Sequence, residues 1–144
     1  MSTERHRHEQ GSAVVEFVFL TVLVLIPLVY LVLTVARIQA GTYAVTQAAR
    51  EAGRAYVTAE APESASARAH AAAQIAFADF GFNGELELDC DGAPCLRPEG
   101  RITARATVRV PLPLVPDVAR AVVPLEIPVS STSVSTVDRF RGGS

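Results

Sequence analysis

The sequence predicts an α+β protein in which a long amino-terminal transmembrane helix packs on a small antiparallel sheet, together with a second alanine-rich helix. Three observations predict this class. The 20 residues from Phe17 to Ala36 carry no charge. The helical spacing of apolar residues then continues to about residue 60. After Asn83 and Gly84 the apolar period changes from that of a helix to that of a strand.

The uncharged stretch has the length of a membrane span. At about 1.5 Å per residue, a helix of this length covers about 30 Å, the thickness of a bilayer's hydrocarbon core. We place one long helix at residues 12–60, beginning at Ser12, with the membrane span at about residues 14–36 and an extended part at 37–60. A cleaved secretory signal is the alternative, but its apolar region has only about 7–15 residues and follows a basic region. Here acidic residues are mixed with arginines ahead of the span, so a retained helix is favoured. Arginines on both sides leave its orientation open.

One acidic residue, Glu16, lies at the start of the apolar stretch. A charged side chain at a bilayer's centre costs roughly 2.5–3.5 kcal/mol, and less near the interface, so the carboxylate needs a partner. Peptide cleavage after Gly11 would create a free amine on Ser12, which lies four residues before Glu16 on the same helix face. The amine could also come from an adjacent subunit. Without cleavage, Glu16 would instead interact with the helix dipole in the first turn.

Composition argues against several functional classes. The chain has 144 residues, is 49% hydrophobic and carries a formal net charge of −2, and all 13 basic residues are arginine. No basic cluster is interleaved with aromatic residues, so we expect no nucleic-acid partner. No catalytic triad, Cys–His pair or glycine-rich phosphate loop can be proposed. We therefore expect no enzymatic activity, no cofactor and no small-molecule substrate.

The two cysteines, Cys90 and Cys95, enclose the turn-forming segment 91–94. If this region lies outside the cytoplasm, a disulfide is the favoured interpretation, and it would contribute about 2 kcal/mol to a small domain. Unpaired thiols are one alternative. A metal site completed by Asp89 and Asp91 is another, but structural zinc takes four ligands, commonly Cys or His, and no further Cys or His lies nearby. We expect no metal.

Small residues recur every fourth position in the extended helix. Such rows let helix backbones approach closely, and the residues expected to mediate packing are Ala44, Ala48, Ala49, Ala52 and Gly53. The helix could use them to pack on its own domain or against copies of itself, and both can hold on different faces.

The segment 61–144 is predicted to form an α+β domain after a break at Pro62. A second helix is expected from about Ser64 to Phe80, ending at Gly81. Its predicted apolar stripe is Ala65, Ala69, Ala72, Ala76 and Phe80, and His70 is expected on its surface. Strands are predicted at 85–89, 102–110 and 127–137, with a candidate helix at 117–123. The last strand is rich in serine and threonine and contains Val129, Val134 and Val137. It is expected to lie at a sheet edge, because Pro124 and Pro128 fall in or beside it.

Gly11, Glu16 and Phe17 at the head of a hydrophobic helix resemble the prepilin-peptidase motif of the type IV pilin superfamily. The stretch Ala48–Arg54 resembles the TadE-like proteins of tight-adherence (Flp-type) pilus systems. The resemblance covers about residues 11–57. One departure is that many relatives carry a proline soon after the glutamate, whereas the first proline here is Pro27.

This resemblance implies a pilin-like fold and a role in pilus assembly and adhesion. Residues 1–11 would form a cytoplasmic leader that a prepilin peptidase removes between Gly11 and Ser12, and Glu16 and Phe17 would act in assembly. The protein would cross the bacterial cell membrane once, with its carboxyl-terminal domain outside. Its partners would be other pilins or pseudopilins and an inner-membrane assembly platform. The size of that domain favours a minor pilin or pseudopilin. An uncleaved, single-pass accessory or binding protein is the alternative.

Overall fold

The computed structural model describes residues 5–113 and 125–140, and within them the α+β class is confirmed. The described elements are two helices followed by three strands: α1 (Arg5–Val57), α2 (Pro62–Asp79), β1 (Gly84–Cys90), β2 (Arg101–Pro111) and β3 (Glu126–Thr136). The chain divides into two compact units, Met1–Val35 and Ala36–Ser144. Unit 1 contains the first part of α1, and unit 2 contains the remainder of α1, α2 and the sheet.

Helix α1 begins at Arg5, earlier than the start at Ser12 that the sequence predicts, and it ends at Val57. Pro27 lies inside α1 without ending it. At the carboxyl end, the Thr58 amide donates to the Arg54 carbonyl at 3.1 Å and the Thr58 hydroxyl donates to the same oxygen at 2.8 Å. These bonds satisfy a carbonyl that the end of a helix would otherwise leave without a partner.

Helix α2 starts two residues before the predicted Ser64, at Pro62. The proline was expected only to break the preceding pattern, but it occupies the first turn of α2, where its missing N–H has no helical partner to lose. The helix ends as predicted near Gly81, which has φ of 72°. The Gly81 and Phe82 amides donate to the Ala78 and Phe77 carbonyls at 2.9 and 3.0 Å, the pattern of a Schellman cap.

The three strands form one antiparallel sheet in the order β1-β2-β3. In the central strand β2, the alternation predicted from the sequence is confirmed. The side chains of Ile102, Ala104, Ala106, Val108 and Val110 are buried on one face, which we call the inner face. The opposite, outer face of β2 carries Arg101, Arg105 and Arg109. Strand β3 is an edge strand, as predicted from Pro128, whereas Pro124 and the candidate helix at 117–123 lie outside the described residues.

The core of unit 2 lies between the inner face of the sheet and the two helices. The α2 side chains in this core differ from the predicted stripe. Ala65, Ala69, Ala73, Ala76 and Phe77 are buried, whereas Ala72 is half-buried and Phe80 is 38% exposed. The Phe77 ring packs directly over Gly84 of β1, where an added Cβ would come within 2.5 Å of it. The close fit of Phe77 against Gly84 therefore determines which face of α2 is buried.

The inner face of β3 carries three serines. Val134 is 59% exposed on the outer face, and Ser131, Ser133 and Ser135 occupy inner positions. Serines are accommodated because α1 comes close to the sheet at Gly53, where an added Cβ would collide with the Ser135 side chain. A valine at position 135 would require the helix to move away. Val137, the predicted end of the strand, is buried and lies one residue beyond the end of β3.

A second, smaller cluster closes one end of unit 2. It contains Ala59, Ala65, Leu96 and Val137, with Tyr56 and Val57 packed against them. These residues come from the ends of α1 and β3, the start of α2 and the loop between β1 and β2. The loop that contains the two cysteines is thereby joined to the rest of the domain.

Candidate functional site

The first candidate site is the apolar part of α1 in unit 1. Every Val, Leu, Ile and Phe side chain from Val14 to Val35 is between 41% and 70% exposed. This is one continuous apolar surface around a helix, and a helix that is apolar all round requires a cover of lipid or of other helices. Among the described residues, α1 is the one helix long and apolar enough to cross a membrane, and the most apolar window is not buried within unit 1.

The polar side chains within this stretch have local partners. The Thr21 and Thr34 hydroxyls donate to the carbonyls of Phe17 and Tyr30, each at 2.8 Å. Both bonds run to the residue four positions earlier, so neither hydroxyl needs water or a second chain. The apolar surface therefore contains hydroxyl groups that a bilayer can accommodate.

Glu16 and Phe17 both lie on the exposed surface of α1, and Phe17 is 70% exposed. Glu16 has no ion-pair or hydrogen-bond partner among the side chains that the structure describes. Gly11 and Ser12 lie within the helical backbone, and no break separates them from Glu16. Ser12 and Glu16 are therefore one helical turn apart, which is the spacing required for an amine on Ser12 to approach the carboxylate.

The five positions predicted to pack helices lie in unit 2. Ala44, Ala48, Ala49 and Ala52 are all 0% exposed, and Gly53 is buried. Their cover is the sheet and α2 of the same chain, because all four alanines share one cluster with the inner face of β2 and with Phe77. Of the two alternatives left open by the sequence, packing within the domain accounts for these positions. They are not available to a second copy while unit 2 is folded.

Gly41, a member of the predicted rows of small residues but not of the five expected packing positions, also lies on this face. Gly41 is buried, and an added Cβ would lie 2.5 Å from a methyl group of Val110. Gly41 and Gly53 therefore allow α1 to approach β2 and β3 at two points. The signal available in the sequence was the repeat of small residues every fourth position, which includes Gly41.

The second candidate site is the loop between β1 and β2. Cys90 and Cys95 are joined by a disulfide with a Cα–Cα distance of 5.5 Å. Within the loop, the Asp91 carboxylate accepts a hydrogen bond from the Arg101 backbone amide at 3.0 Å and pairs with the Arg97 guanidinium at 2.9 Å. The hydrogen bond from the Arg101 backbone amide and the nearby Arg97 guanidinium lower the pKa of Asp91 below its ordinary value of 3.8. Arg97 could not be identified from the sequence, because nothing in the residue spacing pairs it with Asp91.

The two sulfurs and the Asp91 carboxylate of this loop have partners in the structure. Both sulfurs are engaged in the disulfide, so they are not thiolate ligands for a metal. Asp91 is held by Arg97 and Arg101, and no cluster of three or more His, Cys, Asp or Glu residues suited to a metal occurs in the described parts of the chain. His70 is exposed on α2, as expected, and its Nδ1 lies 2.8 Å from the Ser66 carbonyl.

Comparison with known proteins adds one finding. Residues 11–54 match the family described as TadE-like protein, so the resemblance carried by Gly11, Glu16 and the Ala48–Arg54 segment is confirmed over that range. The match ends within α1 and does not include α2 or the sheet. No curated protein and no solved structure has a significant match to the chain. The family match suggests involvement in a tight-adherence pilus system, and the single apolar helix fits membrane anchoring.

Proposed function

We propose that this protein is a minor pilin or pseudopilin of a tight-adherence pilus, processed after Gly11 and assembled through the apolar part of α1. The observation that carries the proposal is the continuous exposed apolar surface from Val14 to Val35, within the residues that match the TadE-like family. A single-pass orientation with unit 2 outside the cytoplasm is part of the proposal, and the disulfide between Cys90 and Cys95 supports it, because disulfides persist outside reducing compartments.

The proposed assembly step moves the helix from lipid into a bundle of similar helices. Because apolar side chains stay covered in both environments, the hydrophobic free energy changes little. Charge pairing then decides which arrangement is stable, since a buried carboxylate without a partner is strongly penalised. Glu16 has no described partner within its own chain. A processed amino terminus on Ser12, in the same chain or in a neighbouring subunit, would supply one.

The size of unit 2 supports the assignment as a minor pilin rather than the major pilin of the filament. It contains a second helix and a three-stranded sheet after α1, whereas the major pilin that the resemblance implies is very small. We propose that the protein is a structural subunit without enzymatic activity, cofactor or small-molecule substrate. Its proposed partners are a prepilin peptidase, other pilins or pseudopilins and an inner-membrane assembly platform.

The mature amino terminus tests this proposal. Mass spectrometry of the chain extracted from the native membrane is expected to find a start at Ser12, and a Gly11→Leu variant is expected to start at Met1. An Ala40→Leu variant is the control, because it changes a small residue of α1 far from the cleavage point and leaves the start at Ser12. A wild-type start at Met1 would instead indicate an uncleaved accessory or binding protein. A start beyond Ala36 would mean that the domain is released from the membrane.

A further inference from the structure

One end of unit 2 contains the point at which α1 enters it, and we call this the entry end. Gly41 of α1 lies over the end of β2 there, because a Cβ added to it would be 2.5 Å from a methyl group of Val110. Val110 pairs with Ile127 near the start of β3. The Phe77 ring of α2 packs over Gly84, where β1 begins beside the same end of β2. The entry end is therefore formed by all five elements.

Exposed apolar side chains of unit 2 are concentrated at the entry end. In the described part of unit 2, six large apolar side chains are exposed, and the four at the entry end are Tyr43, Ile75, Phe80 and Leu125. The other two are Val134 and Phe140. Val134 pairs with Thr103, seven residues and about 23 Å along β3 from Ile127. Phe140 lies beyond the carboxyl end of β3.

Two of the four side chains belong to the helices. Tyr43 follows Gly41 by two residues and is exposed on α1. Ile75 is exposed on α2, directly after Gln74. The Gln74 side chain donates a hydrogen bond to the Gly84 carbonyl at 3.3 Å. Both helices therefore present an exposed apolar side chain close to the start of β1 and the end of β2.

The other two side chains lie where α2 ends and where β3 begins. The Phe80 amide donates to the Phe77 carbonyl at 3.2 Å, so Phe80 belongs to the turn that closes α2. Leu125 directly precedes β3, and its carbonyl accepts a hydrogen bond from the Leu112 amide at 3.2 Å. Both positions are fixed by backbone bonds, and their exposure is therefore a property of the folded domain.

Charges at the entry end are nearly balanced. The exposed charged residues described there are Arg37, Asp79, Glu85, Arg109 and Glu126. Two basic and three acidic side chains do not favour a strongly charged partner of either sign. A partner at this end is therefore expected to be held by apolar contacts, with little dependence on salt.

The continuity of the chain indicates what covers the four apolar side chains. Ala36 is the last residue of the uncharged stretch, and it precedes Gly41 by five residues, about 7.5 Å along a helix. Helix α1 is unbroken between them. With the apolar stretch across a bilayer, the entry end is the part of unit 2 within reach of the lipid headgroups. Aromatic side chains beside aliphatic ones are typical of proteins at that depth.

We propose that the entry end of unit 2 rests on the bilayer, with Tyr43, Ile75, Phe80 and Leu125 inserted among the headgroups of zwitterionic lipid. This contact gives unit 2 a second attachment to the membrane in addition to α1. The inference rests on α1 crossing a membrane, which is part of the proposed function. It does not depend on processing after Gly11 or on assembly into a filament.

Fluorescence quenching by lipid tests this contact, because the chain contains no tryptophan and a single introduced one can be observed alone. Phe80→Trp and Phe140→Trp are a matched pair, since each replaces an exposed phenylalanine. The full chain is placed, one copy per disc, in phosphatidylcholine nanodiscs whose acyl chains carry bromine close to the headgroups. Quenching of Phe80→Trp is expected to be at least about threefold stronger than that of Phe140→Trp, because interfacial side chains reach the acyl boundary. High salt is expected to leave this difference unchanged.

A third variant separates this inference from the membrane span on which it rests. Val24→Trp lies within the apolar stretch and is expected to be strongly quenched. If Val24→Trp is quenched but Phe80→Trp is quenched no more than Phe140→Trp, the span stands and the surface contact is refuted. If Val24→Trp is not quenched, both the span and the contact are refuted.

Two further observations distinguish lipid from a cover of protein. Ile75→Trp is a second variant at the entry end, and it is expected to be quenched as strongly as Phe80→Trp. It also provides the measurement if the Phe80→Trp variant does not fold. Emission shifted to short wavelength without quenching, at either position, would overturn the proposal, because another part of the same chain would then cover the side chain.

Discussion

Two stretches of α1 differ in side-chain size and in what covers them. From Val14 to Val35 the side chains are mostly large, and they are 41–70% exposed. From Ala44 to Gly53 the inward positions are alanine and glycine, and the four alanines are 0% exposed. Small residues allow the chain's own sheet to approach the helix, whereas large apolar residues without an internal cover require lipid or another chain. The role of the first stretch therefore depends on the lipid or the chain that covers it. The stability contributed by the second stretch depends on its close packing against the sheet of the same chain.

The largest expected effect concerns the first stretch. Glu16→Gln removes the charge and keeps the size of the side chain, and we expect membrane insertion to continue while assembly into filaments is nearly abolished. The reason is that the pairing of the carboxylate with an amine no longer selects one arrangement of helices. Immunoblots of the membrane fraction and of sheared surface filaments measure the two properties separately. Glu51→Gln is the control, since it removes a charge from the part of α1 in unit 2. Filament levels of the Glu16→Gln variant equal to those of the wild type would refute the role of Glu16.

The second prediction compares the same substitution in both units. Phe77→Ala is expected to reduce the free energy of unfolding of unit 2 by about 3–5 kcal/mol, because it leaves a cavity between α2 and β1. Phe17→Ala, at a side chain that is 70% exposed, is expected to change that free energy by less than about 0.5 kcal/mol. Denaturant unfolding in micelles, followed by amide exchange in β2, measures both. A large effect of Phe17→Ala would show that the two stretches are not energetically independent.

The third prediction concerns the disulfide of unit 2. Replacing both Cys90 and Cys95 with serine is expected to lower the free energy of unfolding of unit 2 by about 2 kcal/mol, because a short closed loop no longer restricts the unfolded chain. The same shift in denaturant midpoint is expected when the wild type is reduced, and reductant is expected to have no effect on the double variant. If reduction leaves the wild-type midpoint unchanged, the disulfide does not stabilise this unit.

The smallest expected effect is the pH dependence of the same loop. The pKa of Asp91 is lowered, first by the bond from the Arg101 amide and also by the Arg97 guanidinium. The folded state therefore binds this proton less readily than the unfolded state. The contribution of Asp91 to stability is present above its ordinary value of 3.8, and it is lost as the pH falls through the lowered folded-state pKa.

A carboxyl NMR titration of Asp91 is expected to show a higher midpoint in Arg97→Gln than in the wild type, but without full recovery of the ordinary value, because the Arg101 amide remains. Arg105→Gln is expected to leave the midpoint unchanged, since Arg105 does not contact Asp91. An Arg97→Gln titration that matches the wild type would assign the lowered pKa to Arg101 and exclude a contribution from Arg97.

Several features of the fold could be predicted because they depend on local order. The alternation of Ile102 and its neighbours gave the central strand, and Gly81 marked the end of α2, since a positive φ there suits glycine. The motif of Gly11, Glu16 and Phe17, joined to the apolar span and the stretch Ala48–Arg54, carried the resemblance that the family match confirmed. In each case the signal lies within a few neighbouring residues and does not require knowledge of what packs against them.

Other features could not be predicted, because a partner distant in sequence determines them. Phe77 rather than Phe80 is buried because Gly84 leaves room for its ring. The sequence did not indicate which face of β3 is buried, and the structure places Val134 on the outer face and Ser131, Ser133 and Ser135 on the inner face. The pairing of Asp91 with Arg97 depends on how the loop folds around the disulfide. Propensity and periodicity describe the segment itself and contain no information about these neighbours.

The sequence by itself determined that the chain has an apolar helix of membrane-spanning length, an acidic residue at its head, a small-residue continuation and a strand-rich remainder. These properties follow from composition and period along a single segment. Only the tertiary structure decided that the small residues serve the chain's own core and that the odd-numbered residues of β3 form its hydrogen bonds to β2. Both outcomes depend on which surfaces meet in the folded chain. Close packing depends on the shapes of both contacting surfaces, and pairing with one neighbouring strand satisfies the backbone hydrogen bonds along only one edge of a strand.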